Sequence, residues 1–247
     1  AYLVFVPLAD FLPYGAWRPL LIAAFFVIGL VVVTALHFPQ SLPRDPVVEP
    51  AASQECPPDI AALIASVTVL GFESLGPPLR VAMRPAALLW PLVNGQLGVF
   101  GNVFCTTAIP RGTGFDFISV VEGDCGWLTS AAIPYGSVLP AVPGSFQQDL
   151  PGAKPDALLQ YHLAAHRFLE SQGIRFTHTP EGTPSERVRH SLVRQRQVVM
   201  QRPLRSAVVA LWRRLTKRTP FHAPIAEQAT TPATVAYVQV MSSSMQR

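Results

Sequence analysis

Apolar positions fall in four differently patterned zones along the chain. From Leu20 to Leu36, LLIAAFFVIGLVVVTAL, 17 residues pass without a charge, and no helical or strand period breaks the run. As a helix it covers about 26 Å, and with residues 17–19 and 37–38 it reaches the roughly 30 Å of a bilayer core. Tyr14 and Trp17 stand where interfacial aromatics belong, and Arg18 can snorkel to headgroups. Pro19 suits a helix start and Pro39 predicts its stop. The amino-terminal side has Asp10 and one Arg instead of a basic leader, and Ala35-Leu36-His37-Phe38 is a poor cleavage site, so the pattern predicts an uncleaved single span over 17–38. Residues 1–16 are apolar at the start (AYLVFVPL) but too short there to cross. The alternative is a helix buried in a soluble core.

Residues 39–58 hold six prolines and no hydrophobic period, the pattern of a semi-rigid, extended spacer. Beyond it, residues 59–247 read as one extrinsic domain. Asp59 can cap a short helix, IAALIA, followed by a strand-like SVTVLGF. Leu79–Met83 alternates with Arg80 facing water. The runs Val99–Thr107 and Phe115–Glu122 have strand length and composition, with AIPRGTG turning between them. A further turn at Gly123-Asp124 leads into CGWLTSA, completing an antiparallel meander of sandwich-like character. Residues 131–155 read as a Pro/Gly-rich surface connection.

Helical spacing then returns. Asp156–Gln172 places Leu159, Leu163, Phe168 and Leu169 near one stripe, ended by Gly173. Thr183-Pro184-Ser185-Glu186 is a capping box that opens a helix towards Arg202, interrupted by Pro203. Leu204–Arg218 resumes with Val208, Leu211, Trp212 and Leu215 in phase. Thr234–Met241 reads as a final strand. The fold class is therefore α+β: an N-terminal transmembrane helix, a β-rich domain and C-terminal helices.

Composition sharpens this. Charged residues are 14% and hydrophobic ones 49%, with mean hydropathy +0.31; a soluble domain carries about a quarter charged residues. The deficit argues against an ordinary cytosolic enzyme and against disorder. Residues 1–182 carry 8 basic and 13 acidic side chains, whereas residues 183–218 carry 10 basic and 1 acidic. That basic helical segment, Arg187 to Arg218, suits an anionic membrane surface, or an acidic protein surface including its own chain. Nucleic acid is not expected, because the module motifs of its binders are missing. Lys and Arg near the span are balanced, Arg18 against Arg44, and the acidic residues after Arg44 place the domain on the periplasmic, extracytoplasmic side.

Candidate chemistry is sparse. His162, His166 and Glu170 lie at i, i+4 and i+8, the geometry of a two-His, one-carboxylate metal face. Cys105 and Cys125 are the pair a meander would join if the domain is outside; Cys125 has no activating base nearby. Gly95, Gly98 and Gly101 lack the strand-turn-helix context of a phosphate loop and read as bends or bulges in strands. No catalytic residue, cofactor ligand set or metal site is assigned.

Over about residues 90–127, Val93-Asn94, Leu97-Gly98-Val99-Phe100, Ile118-Ser119-Val120-Val121-Glu122-Gly123 and Trp127 follow an order that resembles the C-terminal extramembrane domain of the lipase maturation factor family and related multi-span membrane proteins. The resemblance implies a β-rich domain on the lumenal or extracellular side, working in protein maturation; lipase maturation itself is not carried over. Together these readings describe a single-pass accessory subunit stabilising a larger membrane complex, with a respiratory or photosynthetic assembly as one host that fits. The partners expected are other membrane subunits and the bilayer. The alternatives are a membrane-anchored assembly or maturation factor, and a membrane-anchored metal enzyme using His162, His166 and Glu170.

Overall fold

A computed structural model of the chain describes residues 17–51, 56–83, 85–106, 112–124, 126–132, 142–178, 182–216 and 225–226, without the side chains of 17, 18, 36–41, 124 and 213–216. Over these residues the fold is α+β, with one mixed, mostly antiparallel sheet and five α-helices. In chain order they are α1 (Trp17–Ser41), β1 (Val48–Pro50), α2 (Pro58–Thr68), β2 (Glu73–Ser74), β3 (Leu79–Val81), β4 (Ala87–Asn94), β5 (Val99–Thr106), β6 (Thr113–Val121), β7 (Trp127–Ala131), β8 (Phe146–Asp149), α3 (Pro155–Ser171), β9 (Phe176–Thr177), α4 (Pro184–Gln201) and α5 (Pro203–Thr216).

The expected meander is present as β5–β6–β7, antiparallel throughout, with Asn102 opposite Asp116 and Val120 opposite Trp127. It is the middle of a sheet ordered β1-β3-β4-β5-β6-β7-β8, with β2 on β4 and β9 on β6. The strict alternation of β5, in which Val99, Gly101, Val103 and Cys105 are buried, turns one face towards α2 and α3. There Phe117 stacks on Phe72 with ring centroids 5.0 Å apart, among Ile60, Val67, Val103 and Leu158.

Several expectations are corrected. The strand read over SVTVLGF is absent: α2 continues through its first three residues to Thr68, and residues 69–71 form the turn that follows. Val67 is buried in the core, and Ser66 and Thr68 donate back to Leu63 and Ile64 carbonyls, so tertiary packing overrides β propensity. Asp59 sits in the first turn of α2, whose N-cap position is Pro57. The connection read over 131–155 contains β8, parallel to β7.

β4 carries Pro91 at its centre yet is internal. The Pro91 carbonyl accepts from Leu75 N at 3.0 Å, so its missing N–H lies on that same side. That is the gap where β3, paired through Leu89, gives way to β2, paired through Leu92.

Pro39 does not stop α1, which remains helical to Ser41. So near the end of a helix, proline forgoes only one late backbone bond, and the adjacent Leu42 is buried in a third apolar cluster with Ala35, Val199, Ala207 and Ala210. The spacer expected over 39–58 is replaced, where described, by chain laid along the domain: Val48–Pro50 pairs with β3, and Arg189 pairs with Asp45.

Among the described residues no helix is long and apolar enough to cross a membrane. The described residues therefore give no support to the span expected over 17–38. Cys125 and the expected strand Thr234–Met241 lie outside the described residues.

Candidate functional site

The three residues expected to form a metal face do not share a site. α3 turns His162 inward, at 0% exposure, with Leu158, Leu159, Ala165 and Leu169. Both imidazole nitrogens are engaged: Nε2 with Ser119 Oγ at 2.9 Å and Nδ1 with Ser130 Oγ at 2.8 Å. Gln148 Nε2 donates to Ser130 Oγ at 2.5 Å and Gln148 Oε1 accepts from Ile225 N at 2.9 Å. A neutral imidazole donates from one ring nitrogen and accepts at the other, so one of the two serine hydroxyls donates to the ring and the other accepts from it. Burial, aided by His166, pulls His162 down to about 3, so it is neutral at neutral pH and keeps no lone pair for a metal.

His166 instead meets Glu170 at 3.3 Å and stacks on Phe176, centroids 4.1 Å apart. Its pKa is lowered by desolvation, against the pull of Glu170. Among the described residues no group of three His, Cys, Asp or Glu side chains is placed to hold a metal.

The basic segment is largely turned onto its own domain where it is described. The Thr183 capping box forms, with Glu186 N donating to Thr183 Oγ1 and Thr183 N donating to Glu186 Oε2 at 2.7 Å. The Thr183 backbone N–H and, second to it, the Thr183 hydroxyl, which donates to Glu186 Oε2 at 2.9 Å, hold the Glu186 carboxyl below the usual range. The box fixes the entry angle of α4, which runs over the outer face of the sheet. Arg187 lies over the Phe100 ring at 4.6 Å and donates to the Gly182 carbonyl at 2.9 Å. Arg194 lies over Trp127 at 5.2 Å and donates to the Pro143 carbonyl at 3.1 Å. Arg202, at the C-cap of α4, and Arg205 in α5 are exposed; Lys217 and Arg218 lie outside the described residues, as do the Arg213 and Arg214 side chains.

Between α4 and the outer sheet face lies a cleft of about 880 Å³, within the few hundred to a thousand Å³ typical of small-molecule sites. Its floor is Leu89, Pro91, Phe100 and Ile118 around Asn102 and Asp116, and its roof is Arg187, Val188, Ser191 and Leu192. Asn102 Nδ2 donates to Asp116 Oδ1 at 2.9 Å. Asp116 keeps partial access to solvent through the cleft but is surrounded by protein, and desolvation pushes its carboxyl up to about 7 against the Asn102 hydrogen bonds. A carboxyl poised near neutrality in an apolar cleft is a functional-site candidate on physical grounds.

Sequence reasoning assigned no role to Asp116. The available signal was the alternation of TGFDFISVV, which puts Asp116 in one outward row with Ile118 and Val120. Of the residues that carry the family resemblance, Asn94 has a local structural role: it donates to Leu70 O at 3.1 Å and accepts from Leu97 N at 3.0 Å. It thereby ties the β4–β5 turn, where Gly98 supplies φ +64, to the end of α2.

No known protein family, characterised protein or solved structure matches the chain.

Proposed function

We propose that the chain is a single-span, membrane-anchored accessory subunit whose α+β domain stands on the extracytoplasmic side and stabilises a larger membrane complex. The observation that carries this reading is the outward apolar surface of α1. Phe26 is 71% exposed and Leu20 60% exposed, and Val27, Ile28, Val32 and Val33 are exposed as well. A helical stretch such as Leu20–Leu36, without a charge and with apolar side chains exposed, is stabilised by lipid or other apolar helices around it.

The third apolar cluster supports the same reading. α5 packs its small residues Ser206, Ala207 and Ala210, all buried, on the side of Ala35 and Val31 of α1, which allows close helix approach. Its opposite stripe, Leu204, Val208 and Trp212 at intervals of four, is exposed. With Arg202 and Arg205 beside it, that stripe suits the headgroup level of an anionic membrane next to the span.

A second reading, an assembly or maturation factor, draws on the resemblance of residues 90–127. Extraction of native membranes in mild detergent, followed by a native gel and mass spectrometry, distinguishes the two. Co-migration at fixed stoichiometry with a mature complex is the expected result. Association with immature complexes alone selects the assembly factor, and migration as a stable monomer overturns both.

A further inference from the structure

We propose that the cleft between the outer sheet face and α4 binds a small organic ammonium ion with an apolar body, paired to the Asp116 carboxylate. The inference is independent of membrane anchorage. Asp116 spends Oδ1 on Asn102, its one side-chain partner among the described residues, and a carboxylate has acceptor capacity on both oxygens. It opens into a cavity whose floor and roof offer Leu89, Pro91, Ile118 and Val188 to an apolar body.

The charges around it select a cation over an anion. From α4, Glu186, Arg187 and His190 face the cleft, and from the turn after β6, Glu122 does. Arg187, the one described guanidinium lining it, is already stacked on Phe100 and bonded to the Gly182 carbonyl. An incoming ammonium replaces the hydration that Asp116 has lost and favours its ionised form. The elevated Asp116 pKa then becomes a signature, because binding must release a proton near neutral pH.

The test is titration calorimetry of the full chain in detergent micelles with 2-phenylethylamine, an alkylammonium that stays charged well above neutrality. The neutral 2-phenylethanol and the anionic 3-phenylpropionate serve as comparison probes, and micelle partition is removed by subtraction of protein-free titrations. Saturable binding of the amine is expected, with affinity rising about tenfold per pH unit up to about pH 7 and levelling above it.

Asp116→Asn should lose at least about tenfold in affinity and all of that pH dependence. Ser191→Trp, which fills the cleft from the roof, should abolish binding while the Asp116 carbon-13 carboxyl resonance still titrates near neutrality. Absence of saturable amine binding, binding unchanged in Asp116→Asn or in Ser191→Trp, or preference for the propionate would overturn the proposal.

Discussion

The two faces of the sheet treat buried polar groups in opposite ways, although the same strand serves both. β6 sends Ser119 inward to His162 and Asp116 outward to the cleft. On the inner face every polar atom of the His162 ring has a partner, and the ring is sealed by apolar side chains of α3. On the outer face Asp116 has Asn102 on one side and open volume on the other. Desolvation favours the neutral form in both places, so it lowers the base and raises the acid. A perturbed pKa therefore does not by itself mark a site. What separates a structural network from a site is whether a partner can enter.

The largest way to break this contrast is His162→Ala. It empties a sealed position and strands two hydroxyls, and is expected to cost about 3 kcal/mol or more, read by urea unfolding in a constant micelle background. Asp116→Asn, on the open face, should unfold within about 1 kcal/mol of the parent near pH 5, where both side chains are largely neutral. A comparable loss from both substitutions would erase the distinction between the faces.

The pH dependence of stability sharpens it. His162 has a folded pKa of about 3 against 6.5, so the unfolded chain binds the extra proton. Its contribution is complete above about 6.5 and is lost as pH falls towards 3. Asp116 has a folded pKa of about 7 against 3.8, so the folded chain holds the proton. Its contribution is complete below about 4 and is lost as pH rises to about 7. Between about pH 4 and 6.5 the two slopes oppose, each limited to about 1.4 kcal/mol per unit, and the parent profile should be nearly flat for this pair. In Asp116→Asn, stability should rise with pH across that window; a profile parallel to the parent would contradict the assignment.

Smaller effects concern the roof of the cleft. Thr183→Ala removes the cap of α4 and should cost about 1 kcal/mol, measured as a shift in the unfolding midpoint. Arg194→Ala removes the contact over Trp127, worth about 0.5–1 kcal/mol, and should appear as faster amide exchange in α4 with the inner-face network untouched.

How much of this was legible in the sequence follows the range of the forces involved. The capping box at Thr183, the helix ended by Gly173 with φ +85 and the meander rest on local chemistry, and they appear where their residues place them. β4 was hidden because Pro91 argues against an internal strand, and only the change of neighbour from β3 to β2 makes it tolerable. His162 reads in the sequence as part of one metal-binding face with His166 and Glu170 because helical spacing shows which residues are aligned but not which side meets the sheet. The docked course of Leu42 to Pro50 depended on partners about 30 and 150 residues away, at β3 and α4. The cleft needed both the register that sets Asn102 against Asp116 and the angle of α4, neither of which is a local property.

The contrast between the two faces is tested most directly by one nuclear magnetic resonance titration of the full chain in micelles, with carbon-13 labels on aspartate carboxyls and histidine rings. An Asp116 midpoint near 7 and a His162 ring that stays neutral down to about pH 4 are expected. An Asp116 midpoint near 4 together with a His162 midpoint near 6.5 would show both groups in ordinary solvent and contradict that contrast.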